Sequence, residues 1–127
     1  MALFPDKPDN ALLAAIDLCE RIAAFNRERE GREYSSIGVG VGINYGELIL
    51  GTLGSTSRID TTVIGSTINM TSRLESLTKE YGVPIILPED VFLAMDDSTR
   101  DKVRTKNLGL VKIRGIGNEV KLIGVQA

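Results

Sequence analysis

A chain of 127 residues, 43% of them hydrophobic and 25% charged, has the size and composition of one globular domain, and a second domain is not expected within it. The net charge of −2, without a cluster of Lys and Arg, excludes a nucleic-acid backbone and a membrane surface as direct partners. One cysteine and no histidine exclude an intrachain disulfide, a paired-cysteine zinc site and histidine-dependent triads, and the lone cysteine is typical of a cytosolic protein.

The N-terminal segment predicts the end of a strand followed by an amphipathic helix. Met1 to Phe4 is an apolar run ended by prolines, which fits a buried strand whose earlier residues precede this chain. From Asp9, a candidate N-cap, apolar residues recur at helical spacing to Phe25, and Gly31 ends the pattern. We therefore expect the chain to begin within a strand.

The next segment alternates aliphatic residues with glycine. Positions 37 to 43 have a period of two, in which one face of the predicted strand carries no side chains. Another element is expected to pack closely against this bare face. Asn44-Tyr45-Gly46 supplies a turn and Glu47 to Leu50 begins a second strand, which predicts an antiparallel hairpin.

A second helix is predicted to begin near Ser66, after a polar loop over residues 55–60. Its apolar face consists of Met70, Leu74, Leu77 and Tyr81. Beyond Gly82 and Pro84, the pattern predicts a buried strand to Leu87, a short helix over residues 91–95, and two paired strands over residues 108–113 and 120–125. This order predicts an α+β domain with an antiparallel-rich sheet and helices layered on one side.

Two polar residues of the second helix are the candidates for binding and catalysis. Asn69 and Arg73 lie four residues apart and share a face, on a polar line with Ser66 and Ser76. An Asn amide can hold a ribose oxygen, while an Arg fork matches phosphate oxygens and stabilises charge that grows during phosphoryl transfer. A helix N-terminus at Gly65 would add backbone N–H groups that favour an anion. Taken alone, polar residues at helical spacing are more typical of a solvated face.

Several segments form a set of motifs that covers essentially the whole chain: Ile37 to Glu47, Gly51 to Ser55, Val63 to Gly65, Asn69 to Glu75, Leu108 to Gly109, and Lys112 to Gly115. In order and spacing this set resembles the catalytic domain of class III adenylate and guanylate cyclases. The resemblance is specific, because several independent motifs agree.

The resemblance implies roles for individual residues. Asn69 and Arg73 match the Asn and Arg with which the family contacts the ribose and the triphosphate at the transition state, so they are the predicted catalytic residues. Thr62, Val63 and Gly65 are implied as further substrate contacts. Thr62 resembles the purine-selecting position of bacterial adenylate cyclases, since a hydroxyl can accept a hydrogen bond from the adenine amino group. The implied substrate is ATP, converted to 3′,5′-cyclic AMP and pyrophosphate.

The family's reaction uses two metal ions, Mg²⁺ or Mn²⁺, held by two aspartates. The resemblance implies that residues 1–127 form the C-terminal portion of one catalytic domain of ferredoxin-like topology, whose first strands and metal-binding segment are missing. It places both aspartates upstream of residue 1, so no metal ligand is expected here, and neither Asp9 nor Asp60 should replace them. It also implies a homodimer in the cytoplasm, in which the aspartates of one subunit face Asn69 and Arg73 of the other. This chain alone is expected to be inactive, and its open strand edges allow a swapped dimer.

One position departs from the family's pattern. In the turn between the last two strands the family often has a Lys that reaches the phosphates, and the aligned residue here is Ile116. Lys112, Arg114 and Lys121 are candidates to replace that Lys, although a basic residue at a strand end is more often solvated. Two alternatives stay open, namely a guanylate cyclase and a degenerate cyclase-like module that binds a nucleotide or a partner domain without activity.

Overall fold

The computed structural model describes residues 2–4, 6–31, 35–46, 58–113 and 117–126 and, for residues 58–66, the backbone alone. Along these residues the elements are α1 (Pro8–Glu28), β1 (Val41–Gly42), α2 (Arg58–Tyr81), β2 (Ile85–Pro88), α3 (Glu89–Leu93), α4 (Asp97–Arg100), β3 (Arg104–Lys112) and β4 (Glu119–Gln126).

Helix α1 buries the face that its apolar spacing predicts, and the core residues on it include Leu12, Ala15 and Cys19. The predicted N-cap at Asp9 is wrong. Lys7 occupies the capping position and Pro8 opens the helix, because the φ angle of proline is already close to the helical value. Asp9 lies in the first turn, where its carboxylate contacts Asp96, directly before α4, and Thr99 within α4.

Strand β1 presents its glycines to α2, which confirms the expectation that another element packs against the bare face. A Cβ atom on Gly42 would lie 2.5 Å from the backbone nitrogen of Glu75, and one on Gly40 would overlap the hydroxyl of Thr78. The aliphatic residues that alternate with these glycines, Val39 and Val41, pack on the opposite face of the sheet. The predicted hairpin partner over residues 47–50 lies outside the described residues.

Helix α2 begins at Arg58, so the predicted start near Ser66 is wrong. Residues 58–64 contain no proline, so no residue in this stretch stops the helix. Gly65 lies inside the helix, where a single glycine costs only about 1 kcal/mol. The prediction of a polar loop is wrong for residues 58–60, which are helical, and residues 55–57 lie outside the described part of the chain.

The sheet has the strand order β1-β2-β4-β3 and is mixed, with antiparallel pairs predominating. β1 runs parallel to β2, whereas β2 with β4 and β3 with β4 are antiparallel. Strand β3 begins at Arg104, four residues before the predicted start, because its first residues form the exposed edge of the sheet and carry no apolar signal. The α+β class and the antiparallel-rich sheet are as predicted.

Helices cover both faces of this sheet, so the expectation of helices on one side is wrong. On one face, α1 and α3 pack against alternate residues of β2 and β4, in a cluster that includes Leu12, Ala15, Cys19, Val91, Phe92, Ile85, Leu87, Ile123 and Val125. On the other face, α2 packs against the intervening residues and against β3, through Leu74, Ile86, Val111, Ile113 and Leu122. β2 and the second half of β4 are buried in continuous runs, which is typical of strands covered on both faces.

Candidate functional site

Asn69 and Arg73 lie together on the exposed side of α2. The opposite side of the helix carries apolar residues that pack into the core, and Leu74 among them is fully buried. Because successive residues of a helix are separated by about 100°, burial of that side turns Asn69 and Arg73 away from the sheet. The structure therefore places the two predicted catalytic residues one turn apart on one accessible surface.

Arg73 lies on the flank of α2 nearer to β3 and β4. It is three residues from Met70 and four from Leu77, which are partly buried and pack against the cluster that β3 and β4 share with α2. The other flank of the helix lies over β1, where Thr78 faces Gly40. A ligand bound by Arg73 would consequently lie on the side of α2 that is nearer to β3 and β4.

Two of the three basic residues proposed to replace the missing Lys lie on the wrong face of that hairpin. Val111 and Ile113 face α2, so Lys112 between them points to the opposite side of the sheet. Val120 and Leu122 also face α2, and Lys121 therefore points away from it. Lys112 and Lys121 are thus excluded as phosphate contacts on the α2 side, while Arg114 and Ile116 lie outside the described residues.

The remaining predicted substrate contacts fall on the first turns of α2. The backbone of Thr62, Val63 and Gly65 is helical, and only the backbone of these residues is described. Because the helix starts at Arg58, the backbone N–H groups of Gly65 and Ser66 lie in its interior. The predicted anion-binding helix N-terminus at this point is therefore wrong.

Two shallow clefts among the described residues are not lined by Asn69 or Arg73. One cleft of about 370 Å³ lies between α1 and the end of the sheet, lined by Cys19, Ile22, Ala23, Asn26, Ile37, Val39, Gly82, Pro84 and Gln126. The other, of about 340 Å³, lies under α2 at the opposite end of the sheet, lined by Asn44, Tyr45, Thr67, Met70, Pro88, Asp90, Val91 and Val120. Asn69 and Arg73 are both exposed, so their amide and guanidinium groups lie on the surface of the single chain.

Groups with displaced pKa values lie on or directly before α1. A hydrogen bond from the Thr99 hydroxyl lowers the pKa of Asp9, and burial raises the pKa of the Cys19 thiol. The hydrogen bond to Asp96 raises the pKa of Lys7. Cys19 is 7% exposed and packs within the apolar core as a small hydrophobic residue.

Within the described ranges, no group of three or more Asp, Glu, His or Cys side chains is arranged to hold a metal ion. The described acidic residues therefore do not fit a metal-ion centre by themselves. Also among the described residues, no helix has the length and apolar character needed to cross a bilayer.

The sequence matches the family described as the adenylate and guanylate cyclase catalytic domain over residues 6–123. It is 40% identical over 134 aligned positions to an adenylate cyclase of Anabaena cylindrica, which covers 100% of this chain and 26% of the relative. It is 31% identical to the terminal-differentiation specific adenylate cyclase of Dictyostelium discoideum, over 98% of this chain and 6% of that protein. The chain thus spans about a quarter or less of the length of these two relatives.

The fold is similar to that of a solved structure from a study of Trypanosoma brucei adenylate cyclases in their monomeric state. The TM-score is 0.56 at 17% sequence identity, and the alignment covers 94% of this chain and 64% of that one. This likeness supports the mixed α+β cyclase fold described above.

Proposed function

Because the chain belongs to the adenylate and guanylate cyclase catalytic domain family, we propose that it is the catalytic domain, or the larger part of one, of an adenylate cyclase. The protein would convert ATP to 3′,5′-cyclic AMP and pyrophosphate for signalling in the cytoplasm. The observation that carries this proposal is the 40% identity to an adenylate cyclase along the whole chain. The exposed pair formed by Asn69 and Arg73 gives this activity its residues.

The chemistry needs an in-line displacement at the α-phosphorus. The ribose 3′-oxygen forms a bond to that phosphorus and gives its proton to a water molecule, while the bond from the α-phosphorus to the bridging oxygen breaks and its electron pair leaves with pyrophosphate. In our proposal the Asn69 amide orients the ribose, and the Arg73 guanidinium donates hydrogen bonds to phosphate oxygens whose charge grows in the transition state. Thr62, Val63 and Gly65 would contact the purine side of the nucleotide.

A second subunit would complete this site. The Asn69–Arg73 surface is exposed, and neither of the two clefts includes it. A nucleotide bound there by one subunit would keep much of its surface in water. A second subunit that covers the exposed side of the nucleotide would exclude this water. We propose that this partner supplies the metal-binding aspartates, and that each active site is shared between two subunits.

Divalent metal ions are generally used by this family, and we propose Mg²⁺ or Mn²⁺ as the cofactor. The described acidic residues do not form a site for such an ion. In our proposal, the described residues of this chain contribute the contacts with the ribose and the phosphates and do not hold the metal ion.

Turnover by the full-length gene product tests the proposal. Purified protein is supplied with ATP or GTP and with Mg²⁺ or Mn²⁺, and the cyclic nucleotide is separated by chromatography. We expect cyclic AMP from ATP in clear excess over cyclic GMP from GTP. Asn69→Ala and Arg73→Ala should each lower kcat by about 10²- to 10³-fold, the usual cost of removing a group that stabilises transition-state charge. Lys79→Ala, an exposed basic residue of the same helix, is the matched control and should retain normal turnover.

The alternatives give distinct results in the same assay. A preference for GTP would identify a guanylate cyclase. Absence of any cyclic nucleotide under all conditions would identify a binding module, and full turnover by Arg73→Ala would refute the role of α2.

A further inference from the structure

The segment that contains β1 contacts α2 through glycines at three positions. At these positions no side chain of that segment lies between it and the helix. Cβ atoms built on Gly40, Gly42 and Gly46 would each come closer than 3.0 Å to residues of α2, a distance that real Cβ atoms essentially never show. The three glycines meet the helix at successive positions, with Gly46 against Thr67, Gly42 against residues 71–75 and Gly40 against Thr78. These glycines, called the glycine track below, hold α2 along three of its turns.

The closest backbone contact of the track falls on the turn that carries Arg73. A Cβ on Gly42 would lie 2.5 Å from the backbone nitrogen of Glu75 and 2.6 Å from the carbonyl oxygen of Thr71. Arg73 lies between these two residues, and Asn69 precedes Thr71 by two positions. Since backbone atoms cannot rotate out of the way as a side chain can, any side chain at position 42 moves the helix itself.

We infer that Gly40 and Gly42 are positioning residues for the reaction, because they set the height above the sheet at which α2 holds Asn69 and Arg73. This inference rests on the proposed function of that pair. It adds that the phosphate- and ribose-contacting groups are placed by a backbone contact on the far flank of the helix. The glycines themselves touch no substrate.

The expected displacement follows from the distances. Ordinary contacts of a Cβ atom begin at 3.4 Å, so a methyl group on Gly42 must push the backbone of α2 away by about 1 Å. A misplacement of about 1 Å in a catalytic group can lower the rate about 100-fold. Gly42→Ala should therefore reduce kcat by about 10- to 100-fold in protein that is still folded.

Gly38→Ala is the matched control, since it makes the same chemical change in the same segment. No atom lies within 4 Å of a Cβ at position 38, and that glycine has no positive φ angle. Gly38→Ala should leave kcat and the melting temperature unchanged.

A double-mutant cycle in the full-length gene product separates positioning from general damage. Circular dichroism first establishes that each variant is folded at the assay temperature, and kcat for cyclic AMP formation is then measured. If Gly42 acts through Arg73, Gly42→Ala should cost at most about threefold in an Arg73→Ala background, because groups that act as a unit have strongly non-additive effects. If the two losses multiply in full, Gly42 has a structural role only and the inference is overturned.

Gly40 provides a second cycle should Gly42→Ala not fold. The nearest obstacle at position 40 is the hydroxyl of Thr78, which Thr78→Ala removes, while the Cβ of residue 78 stays at 3.1 Å. Gly40→Ala should lower kcat, Thr78→Ala added to it should restore most of the loss, and neither change should matter much in an Arg73→Ala background. No restoration by Thr78→Ala, or losses that multiply with Arg73→Ala, would overturn the inference.

The results also distinguish the failure of this inference from the failure of the proposed function. If Arg73→Ala and Asn69→Ala abolish turnover while folded Gly42→Ala is fully active, only the positioning role is refuted. If Arg73→Ala and Asn69→Ala are both fully active, the proposed function of α2 is refuted, and the positioning role falls with it.

Discussion

Replacement of Asp9 tests the polar contact that joins the start of α1 to α4 and to Asp96, the residue directly before α4. The Asp9 side chain accepts two hydrogen bonds at one carboxylate oxygen, from the backbone N–H of Asp96 at 2.9 Å and from the hydroxyl of Thr99 at 2.7 Å. Asp9 is 5% exposed and Thr99 is 6% exposed, so water cannot easily replace either partner. Asp9→Ala leaves both donors without an acceptor, whereas Asp9→Asn keeps the size of the side chain and removes the charge.

The magnitude follows from these contacts. A hydrogen bond to a charged group contributes about 1.5–3 kcal/mol, and a buried donor left unsatisfied costs about 1–3 kcal/mol. We expect Asp9→Ala to lower the free energy of unfolding by about 2–4 kcal/mol and Asp9→Asn by about 1–2 kcal/mol. Lys7→Ala is the control: it removes an ion pair with Asp96 whose side chains are 60% and 59% exposed, and such pairs contribute little.

The same contact gives a pH dependence with a defined sign. The hydrogen bond from Thr99 lowers the pKa of Asp9 below its ordinary value of 3.8. The ionised form is thus favoured in the folded state, and its contribution is complete above that value and is lost as the pH falls through the folded-state pKa. The difference in free energy of unfolding between the wild type and Asp9→Asn should be constant from pH 7 to pH 5 and should shrink below about pH 4.

Urea unfolding followed by circular dichroism at several pH values measures this difference. A difference near zero at pH 7, or one that grows as the pH falls below 4, would refute the reasoning from the Asp9 contacts.

Three other substitutions have expected outcomes. Leu74→Ala empties a fully buried position under α2 and should lower the free energy of unfolding by about 2–5 kcal/mol in urea titrations, and a loss below 1 kcal/mol would contradict its burial. Asn26→Ala removes the side-chain amide that both donates to and accepts from the backbone of Ile37 at 2.8 Å. It should cost about 1 kcal/mol and speed amide hydrogen exchange at Ile37, and unchanged exchange would contradict that contact. Arg73→Lys keeps the charge but loses the planar fork, so kcat for cyclic AMP formation should fall by at least about tenfold, and wild-type initial rates would show that charge alone suffices.

Local periodicity was enough to predict most of the elements. Spacing of 3.6 residues identified the buried faces of α1 and α2, with Leu12 and Leu74 at their centres. The glycine alternation also predicted a close approach, and Gly42 makes it. Because Asn69 and Arg73 share a helix with a strong apolar face, their common exposed position was predictable as well.

Other features depend on partners far away in the chain and could not be predicted from local patterns. The role of Asp9 is set by Asp96 and Thr99, which are 87 and 90 residues away, so the same carboxylate appeared to be an N-cap. Coverage of both faces of the sheet follows from how β2 and β4 pair in the interior. The continuous apolar run from Ile85 to Leu87 was the available sign of burial on both faces. The start of α2 at Arg58 was not predicted, because glycine often marks the end of a helix and Gly65 therefore suggested a boundary. The backbone of Gly65 is helical.

In the proposed enzyme, the amide and guanidinium of α2 face ATP across a subunit boundary. A crystal structure of the full-length gene product with a 3′-deoxy analogue of ATP, which lacks the attacking hydroxyl, tests this arrangement. We predict that a guanidinium nitrogen of Arg73 lies about 3 Å from a phosphate oxygen, that the Asn69 amide contacts the ribose, and that a second subunit covers the nucleotide. A nucleotide bound elsewhere, with both side chains still in open solvent, would contradict the claim.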